Sequence, residues 1–389
     1  MTNTLADDLK IRQENIRKEM IKKGFDACLF AGNVNLFYLY GKIIGGYFYL
    51  PKEGKPILFV KRPVGISGEN VFYIRKPEQI TEILSDNGIE LPRTIMLETG
   101  ELPYNEIIRL QKIFNPEKTG DATALARSVR SIKTPCEIEQ FRISGKMHAE
   151  SYRQIPSLYK EGMTDREFSI EIERIIRLTG SLGVFRAFGQ GMDIFVGSVL
   201  AGDNAAFPSP FDFALGGEGL HPSVPIGANG TVIQPGMTVM VDMGGTFTGY
   251  ITDMTRVFSV GKIPAEAYSA HQVSLEIHEA VIRAAKPGVI CEDLYDLAVS
   301  IVDKYGLSDK FMGIRQQAKF VGHGIGIEVN ELPVLAPRFR APLQSGMVFA
   351  LEPKFVIPHV GAVGIENSYL VTDAGIENLT MFEEGIISL

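Results

Sequence analysis

Two stretches of the chain repeat one another, and each ends on an acid. Gln234 opens Q-P-G-M-T-V-M-V-D and Gln344 opens Q-S-G-M-V-F-A-L-E, closing on Asp242 and Glu352. A second acid follows each: Asp253 in YITDMTRVF and Glu366 in AVGIENSYLV. Runs this apolar read as buried strands, and an unpaired carboxylate is costly to bury, so each acid needs a partner. A turn centred between Phe247 and Thr248 sets Asp242 opposite Asp253, and one centred on His359 sets Glu352 opposite Glu366. Opposed residues carry Cβ atoms roughly 4.5–5.5 Å apart, where like charges destabilise the pair. Two such pairs require a neutralising cation. The competing explanations are an arginine salt-bridged to each pair, or a solvated strand face. The duplication weighs against both and points to a pseudo-twofold domain made by gene duplication.

His323, in G-H-G-I-G, adds a nitrogen donor between glycines that allow close backbone approach. Four carboxylates and an imidazole suit Mn²⁺, Co²⁺, Zn²⁺ or Fe²⁺ better than copper. Four negative charges match two divalent ions. Two ions roughly 3.5–4 Å apart share bridging carboxylates and a hydroxide, lower the pKa of water and polarise a carbonyl. The chemistry expected is hydrolysis.

These residues need a scaffold, and the chain is long enough for two domains. The first reads as a small α/β domain over residues 1–130. Leu5, Leu9, Ile16 and Met20 sit at helical spacing before Gly24, and DACLFAG reads as a buried strand. YFYLPKEGKPILFV reads as a hairpin about KEGK, TIMLE as a strand and Tyr104 to Ile113 as a helix. A boundary falls near residues 122–135, where ATALARSV looks strand-like before a turn at Thr134-Pro135. A charged helix then begins, with Glu137 and Glu139 where the helix dipole favours acids. The second domain, residues 131–389, alternates helices with glycine-bounded strands and carries all five candidate ligands. The Gly-, Pro- and Phe-rich stretch 201–230 reads as a functional rim loop.

Together these residues resemble the pita-bread metallopeptidases. VDMGG, TDMTR eleven residues on, GHGIG, LEP and GIEN follow that family's order of D, D, H, E and E. RSIKTPCEIEQFR and NVNLFYLYG are similar to segments of its Xaa-Pro dipeptidase (prolidase) and Xaa-Pro aminopeptidase branch, which carries a creatinase-like N-terminal domain. Creatinase itself is a relative that lacks the metals. The resemblance implies an α+β chain, with a small α/β creatinase-like domain before a pseudo-twofold pita-bread catalytic domain. It implies that Asp253 and Glu366 serve both metals, with Asp242 on one and His323 and Glu352 on the other. Glu352 would also shuttle the proton of the attacking water, and Xaa-Pro bonds in short peptides would be the substrate. A homodimer is implied as well.

Three positions depart from that pattern. Asn330, in VNE, stands where the prolidase-type motif has a substrate-binding histidine. An amide donates a hydrogen bond but carries no proton at neutral pH. Gly364 stands where the aminopeptidase branch often has arginine. The upstream substrate histidine aligns either with Ser209, counting from GDNAAFPS, or with His221 in HPSVPIG. His221 is preferred, because imidazole can do the family's chemistry. His148, His271 and His278 read as ordinary helix residues and His359 as a turn residue.

The net charge of -7 argues against a nucleic-acid partner. No stretch reaches the roughly 18 apolar residues of a membrane span. The N-terminus shows no secretory h-region, and Cys28, Cys136 and Cys291 form no CxxC pair, which together fit the cytoplasm. Two other functions share these residues: hydrolysis of another small-molecule C–N bond, and non-catalytic binding.

Overall fold

The computed structural model describes residues 4–189, 195–211 and 213–389. Asp212, inside the stretch read as a rim loop, lies outside them. The chain divides into two units, Met1–Arg130 and Ser131–Leu389.

In the first unit the buried run Ala27–Phe30 is an inner strand of a six-stranded mixed sheet. It pairs antiparallel with Gly45–Pro51 and parallel with Thr94–Leu97, and all four of its residues are buried, so no polar alternation is needed. Gly45–Pro51 and Ile57–Arg62 form the hairpin expected around KEGK. Helix Leu5–Lys22 starts on Thr4, whose side chain accepts from Asp7 N. One reading is corrected. Ala122–Arg130, strand-like in sequence, is a helix. Its buried residues Ala122, Leu125 and Ala126 follow helical spacing, and alanine and leucine favour helix.

The second unit opens on helix Pro135–Tyr152, fixed by a Thr134/Glu137 capping box with proline in its first turn. Its two halves repeat, as the paired Gly-Met runs foreshadowed. Gly236 and Gly346 both take positive φ, of 93° and 87°. Each donates its N–H to the end of a returning strand, Gly236 to Val260 O and Gly346 to Val371 O, both at 2.8 Å. Before each of them lies an equivalent pair of contacts to a helix start. Asp165 N donates to Thr231 O and Ile233 N to Met163 O; Cys291 N donates to Ala341 O and Leu343 N to Val289 O. Helices Asp165–Leu178 and Cys291–Lys304 follow these contacts.

The register of the first hairpin corrects the sequence reading. In strands Thr238–Gly245 and Thr252–Ser259, Asp242 faces Thr255 and Asp253 faces Gly244. The turn centres one residue later than expected, because outside contacts hold the connecting loop. Ser144 Oγ donates to Tyr250 O at 3.0 Å and Ile251 N to Gly326 O at 2.8 Å. A two-residue slip keeps both aspartates on one face, as diagonal neighbours. The second hairpin matches its expected register. Leu351 faces Asn367 in one ladder and Lys354 faces Gly364 in the next, so Glu352 and Glu366 lie level where the ladders hand over. The halves join at a Thr255–Glu366 bridge, with Thr255 N to Glu366 O at 3.3 Å and the reverse bond at 3.2 Å.

Candidate metal centre

Each candidate ligand is set by a strand or strand end that packing leaves little freedom. His323 lies in the short strand Gly322–Gly324, held between Glu331–Leu335 and Val348–Leu351. Asp253 N donates to Ser368 Oγ at 2.8 Å, and that hydroxyl donates back to Asp253 O at 2.9 Å. Glu352 and Glu366 are braced by helix Ala265–Ala284. Ser274 Oγ donates to Pro353 O at 2.7 Å and accepts from Ile365 N at 3.2 Å, which ties the neighbours of both glutamates together. His278 Nε2 lies 3.1 Å from Ile365 O, and His271 Nδ1 accepts from Gly364 N at 3.2 Å. Arg256, fully buried, donates to Glu366 O and to Asn367 Oδ1, both at 2.8 Å. It therefore holds backbone around the acids and pairs with none of their carboxylates among the contacts described.

Two groups of donor atoms result. His323 Nε2 faces Glu352 Oε1 at 3.3 Å, Glu366 Oε1 at 3.8 Å and Asp253 Oδ2 at 4.0 Å. Donors roughly 2.0–2.2 Å from a shared ion stand at about such separations. Glu366 Oε1 is buried and has no hydrogen-bond partner among the described residues. A buried carboxylate oxygen left bare is costly, and a metal ion would satisfy it. The residues of this first group therefore fit one divalent ion.

The second group, Asp242, Glu352 and Glu366, holds a residue that the sequence reading missed. Lys354 Nζ lies 2.8 Å from Asp242 Oδ2, 2.8 Å from Glu352 Oε2 and 3.0 Å from Glu366 Oε2. Its side chain is fully buried. The salt bridge weighed as an alternative to a metal thus exists, made by lysine and confined to one side of the cluster. A signal was present in the sequence: residues two apart in extended chain, as 352 and 354 are, point to one side.

With no ion bound, the charges settle among themselves. Burial works against a proton on His323, but Glu352 and Asp253 hold its pKa up at about 9. Burial, then Asp242, pushes Asp253 up to about 7. Burial and Asp253 raise Glu366 well above the carboxylate range. Burial also opposes ionisation of Glu352, yet Lys354 and His323 keep it below that range. Burial disfavours the Lys354 ammonium, but Asp242, Glu352 and Glu366 outweigh it. Ion binding at His323 would release its proton.

The remaining expectations fare differently. His221 is exposed, and its Nδ1 accepts from Ser223 N at 3.1 Å and pairs with Ser223 Oγ at 2.7 Å. This ring caps its own turn and belongs to neither donor group among the described residues. Ser209 Oγ donates to Pro225 O at 3.2 Å. It lines a cavity of about 140 Å³ with Phe207, Phe211, Phe213 and Gln316. Asn330 Oδ1 accepts from Phe188 N at 2.6 Å and its Nδ2 donates to Phe188 O at 2.9 Å. That two-pronged bridge, with Val329 N to Arg186 O at 2.7 Å, uses the amide to hold segment 186–188. His148 and His278 are buried helix residues, while His359 is an exposed turn residue with φ of 65°.

Known proteins are similar to this chain in sequence and fold. The model of the creatinase/prolidase N-terminal domain matches residues 12–132 and that of metallopeptidase family M24 matches residues 139–373. An Xaa-Pro dipeptidase of Pyrococcus furiosus is 26% identical over 385 residues, 97% of this chain and all of that protein. The crystal structure of the prolidase from Pyrococcus horikoshii OT3 superposes with a TM-score of 0.76 at 25% identity, covering 96% of this chain and 99% of that one. The X-Pro aminopeptidase from Thermotoga maritima MSB8 shares the fold, with a TM-score of 0.79 at 22% identity over 97% of this chain and 99% of that one. With its acids, histidine and paired half-domains in this order, the chain belongs to metallopeptidase family M24, behind a creatinase/prolidase-type N-terminal domain.

Proposed function

We propose that the protein is a metal-dependent exopeptidase that cleaves short peptides at Xaa-Pro bonds. The observation that carries this is the bare Glu366 Oε1, buried beside His323 Nε2, Glu352 Oε1 and Asp253 Oδ2. The Xaa-Pro dipeptidase and prolidase among its relatives support the class of bond. His323, Asp253, Glu352 and Glu366 would hold a divalent ion, of Mn²⁺, Co²⁺, Zn²⁺ or Fe²⁺. When bound, the ion supplies Lewis acidity toward water and a peptide carbonyl. Glu352 would take the proton of the attacking water and pass it to the departing proline nitrogen. The side chains of Asp242 and His323 keep 22% and 17% exposure while Glu366 has none, so substrate would approach from the Asp242–His323 side.

The test is a mass-spectrometric survey of Gly-Pro, Ala-Pro, Leu-Pro and longer Xaa-Pro peptides, with Mn²⁺, Co²⁺ or Zn²⁺ added. Hydrolysis should stop with EDTA and return with metal. Cleavage of the dipeptides alone indicates a dipeptidase, and release of the first residue from longer chains an aminopeptidase. Metal-loaded protein that cuts none of them sinks the reading. The Asn330 bridge favours one second reading, hydrolysis of another C–N bond in a small molecule, since no imidazole stands at that position.

The proposed assembly is a homodimer, on family resemblance, and sedimentation equilibrium separates it from a monomer of 42.8 kDa. Among the described residues no helix is long and apolar enough to cross a membrane. Cys28 and Cys291 are buried free thiols, which supports a reducing, cytoplasmic setting.

A further inference from the structure

We propose that the Lys354 ammonium permanently takes the place of one of the two cations that four clustered carboxylates would otherwise require, so that the protein binds a single divalent ion. The inference rests on the metal-dependent reading of the site and alters its count. Four acids with no ammonium or guanidinium among them call for two divalent ions, and the sequence was read that way. Lys354 changes the sum.

The geometry is specific. An ammonium has three N–H donors, and three carboxylate oxygens lie within 3.0 Å of Lys354 Nζ: Asp242 Oδ2, Glu352 Oε2 and Glu366 Oε2. Glu366 Oε2 also accepts from Thr255 Oγ1 at 2.8 Å, so both of its lone pairs are used. The other oxygen of the same carboxylate, Oε1, has no hydrogen-bond partner among the described residues and turns to His323. One glutamate thus presents a saturated oxygen to the lysine side and a bare one to the histidine side. Glu352 divides likewise, with Oε2 on Lys354 and Oε1 on His323. A second ion would have to take the same three oxygens from the ammonium while repelling it.

The lysine cannot simply swing away. Lys354 is fully buried, its carbonyl accepts from Met312 N at 2.9 Å, and its backbone pairs with Gly364 across the ladder. Gly364 has φ of 118°, and a Cβ there would stand 2.4 Å from Pro353 O and 3.0 Å from Lys354 Cα. No side chain can enter from that position to replace the lysine as a cation. The fixed charge of the site therefore comes from residue 354.

Metal content per chain tests this on the intact protein. After saturation with Mn²⁺ and removal of excess, elemental analysis should give one ion in the wild type and two in Lys354→Gly, which frees three oxygens. Electron paramagnetic resonance should show an isolated Mn²⁺ six-line spectrum in the wild type and a spin-coupled pair in the variant. Two ions, or a coupled pair, in the wild type would overturn the proposal and leave a metallopeptidase with a buttressing lysine. A folded Lys354→Gly that still holds one ion would also overturn it. If that variant fails to fold, the wild-type count and spectrum decide alone. No ion in either protein, with no peptide cleaved, would instead remove the metal-dependent reading on which the proposal rests.

Discussion

At the residue scale, the five ligand candidates were legible because they conflict with their surroundings. Acids at the ends of VMVD and FALE sit in strands that exclude water, and a conflict repeated in two half-domains has one economical resolution, a shared cation. Lys354 escaped notice because a lone lysine between proline and phenylalanine looks like hairpin surface. Its two-residue spacing from Glu352 was the one sign, and the fold shows that it points inward with that acid. His221 was preferred on chemical capability alone, which says nothing about where a loop places a ring. Asn330 illustrates the same limit, since its amide serves the backbone of Phe188 from both ends. Imidazole cannot replace both bonds in that geometry, and a net hydrogen bond contributes about 0.5–1.5 kcal/mol. Asn330→His is therefore expected to lower kcat/KM on an Xaa-Pro dipeptide by about two- to tenfold, with metal content unchanged. A rise in turnover would show that position 330 meets the substrate and that its bridge to Phe188 is dispensable.

At the element scale, period and punctuation carried most of the fold. The hairpin about KEGK, the run ACLF and the helix starting at Thr134-Pro135 each have a local cause that sequence displays. Two elements did not. Ala122–Arg130 mimics alternation because small residues sit between its core positions. The turn after Asp242 is displaced by bonds from Ser144 and to Gly326, which are remote in sequence. The same remoteness hides the brace from helix Ala265–Ala284. Ser274, His271 and His278 act on the residues flanking Glu352 and Glu366, yet in sequence they are only a polar stripe on a helix. The departure at Gly364 gains a physical account here, because the backbone beside Pro353 and Lys354 leaves no room for the arginine of other family members.

At the scale of the whole molecule, duplication explains why one cluster can be both rigid and highly charged. Equivalent glycines, strands and helix starts deliver two acids from each half to a common seam, and Thr255–Glu366 pairing closes it. His323 enters from a further strand paired with Val348–Leu351, so the five ligands meet without any loop having to order on binding. Such a centre is preorganised for an ion rather than assembled by one. The most direct test is a crystal structure of the Mn²⁺-soaked protein, with anomalous scattering locating the ion. The account predicts one strong peak within roughly 2.0–2.3 Å of His323 Nε2, bounded by Asp253, Glu352 and Glu366, with Lys354 Nζ still on its three carboxylates. Full-length protein soaked in the same way and showing no peak within that cluster would contradict it.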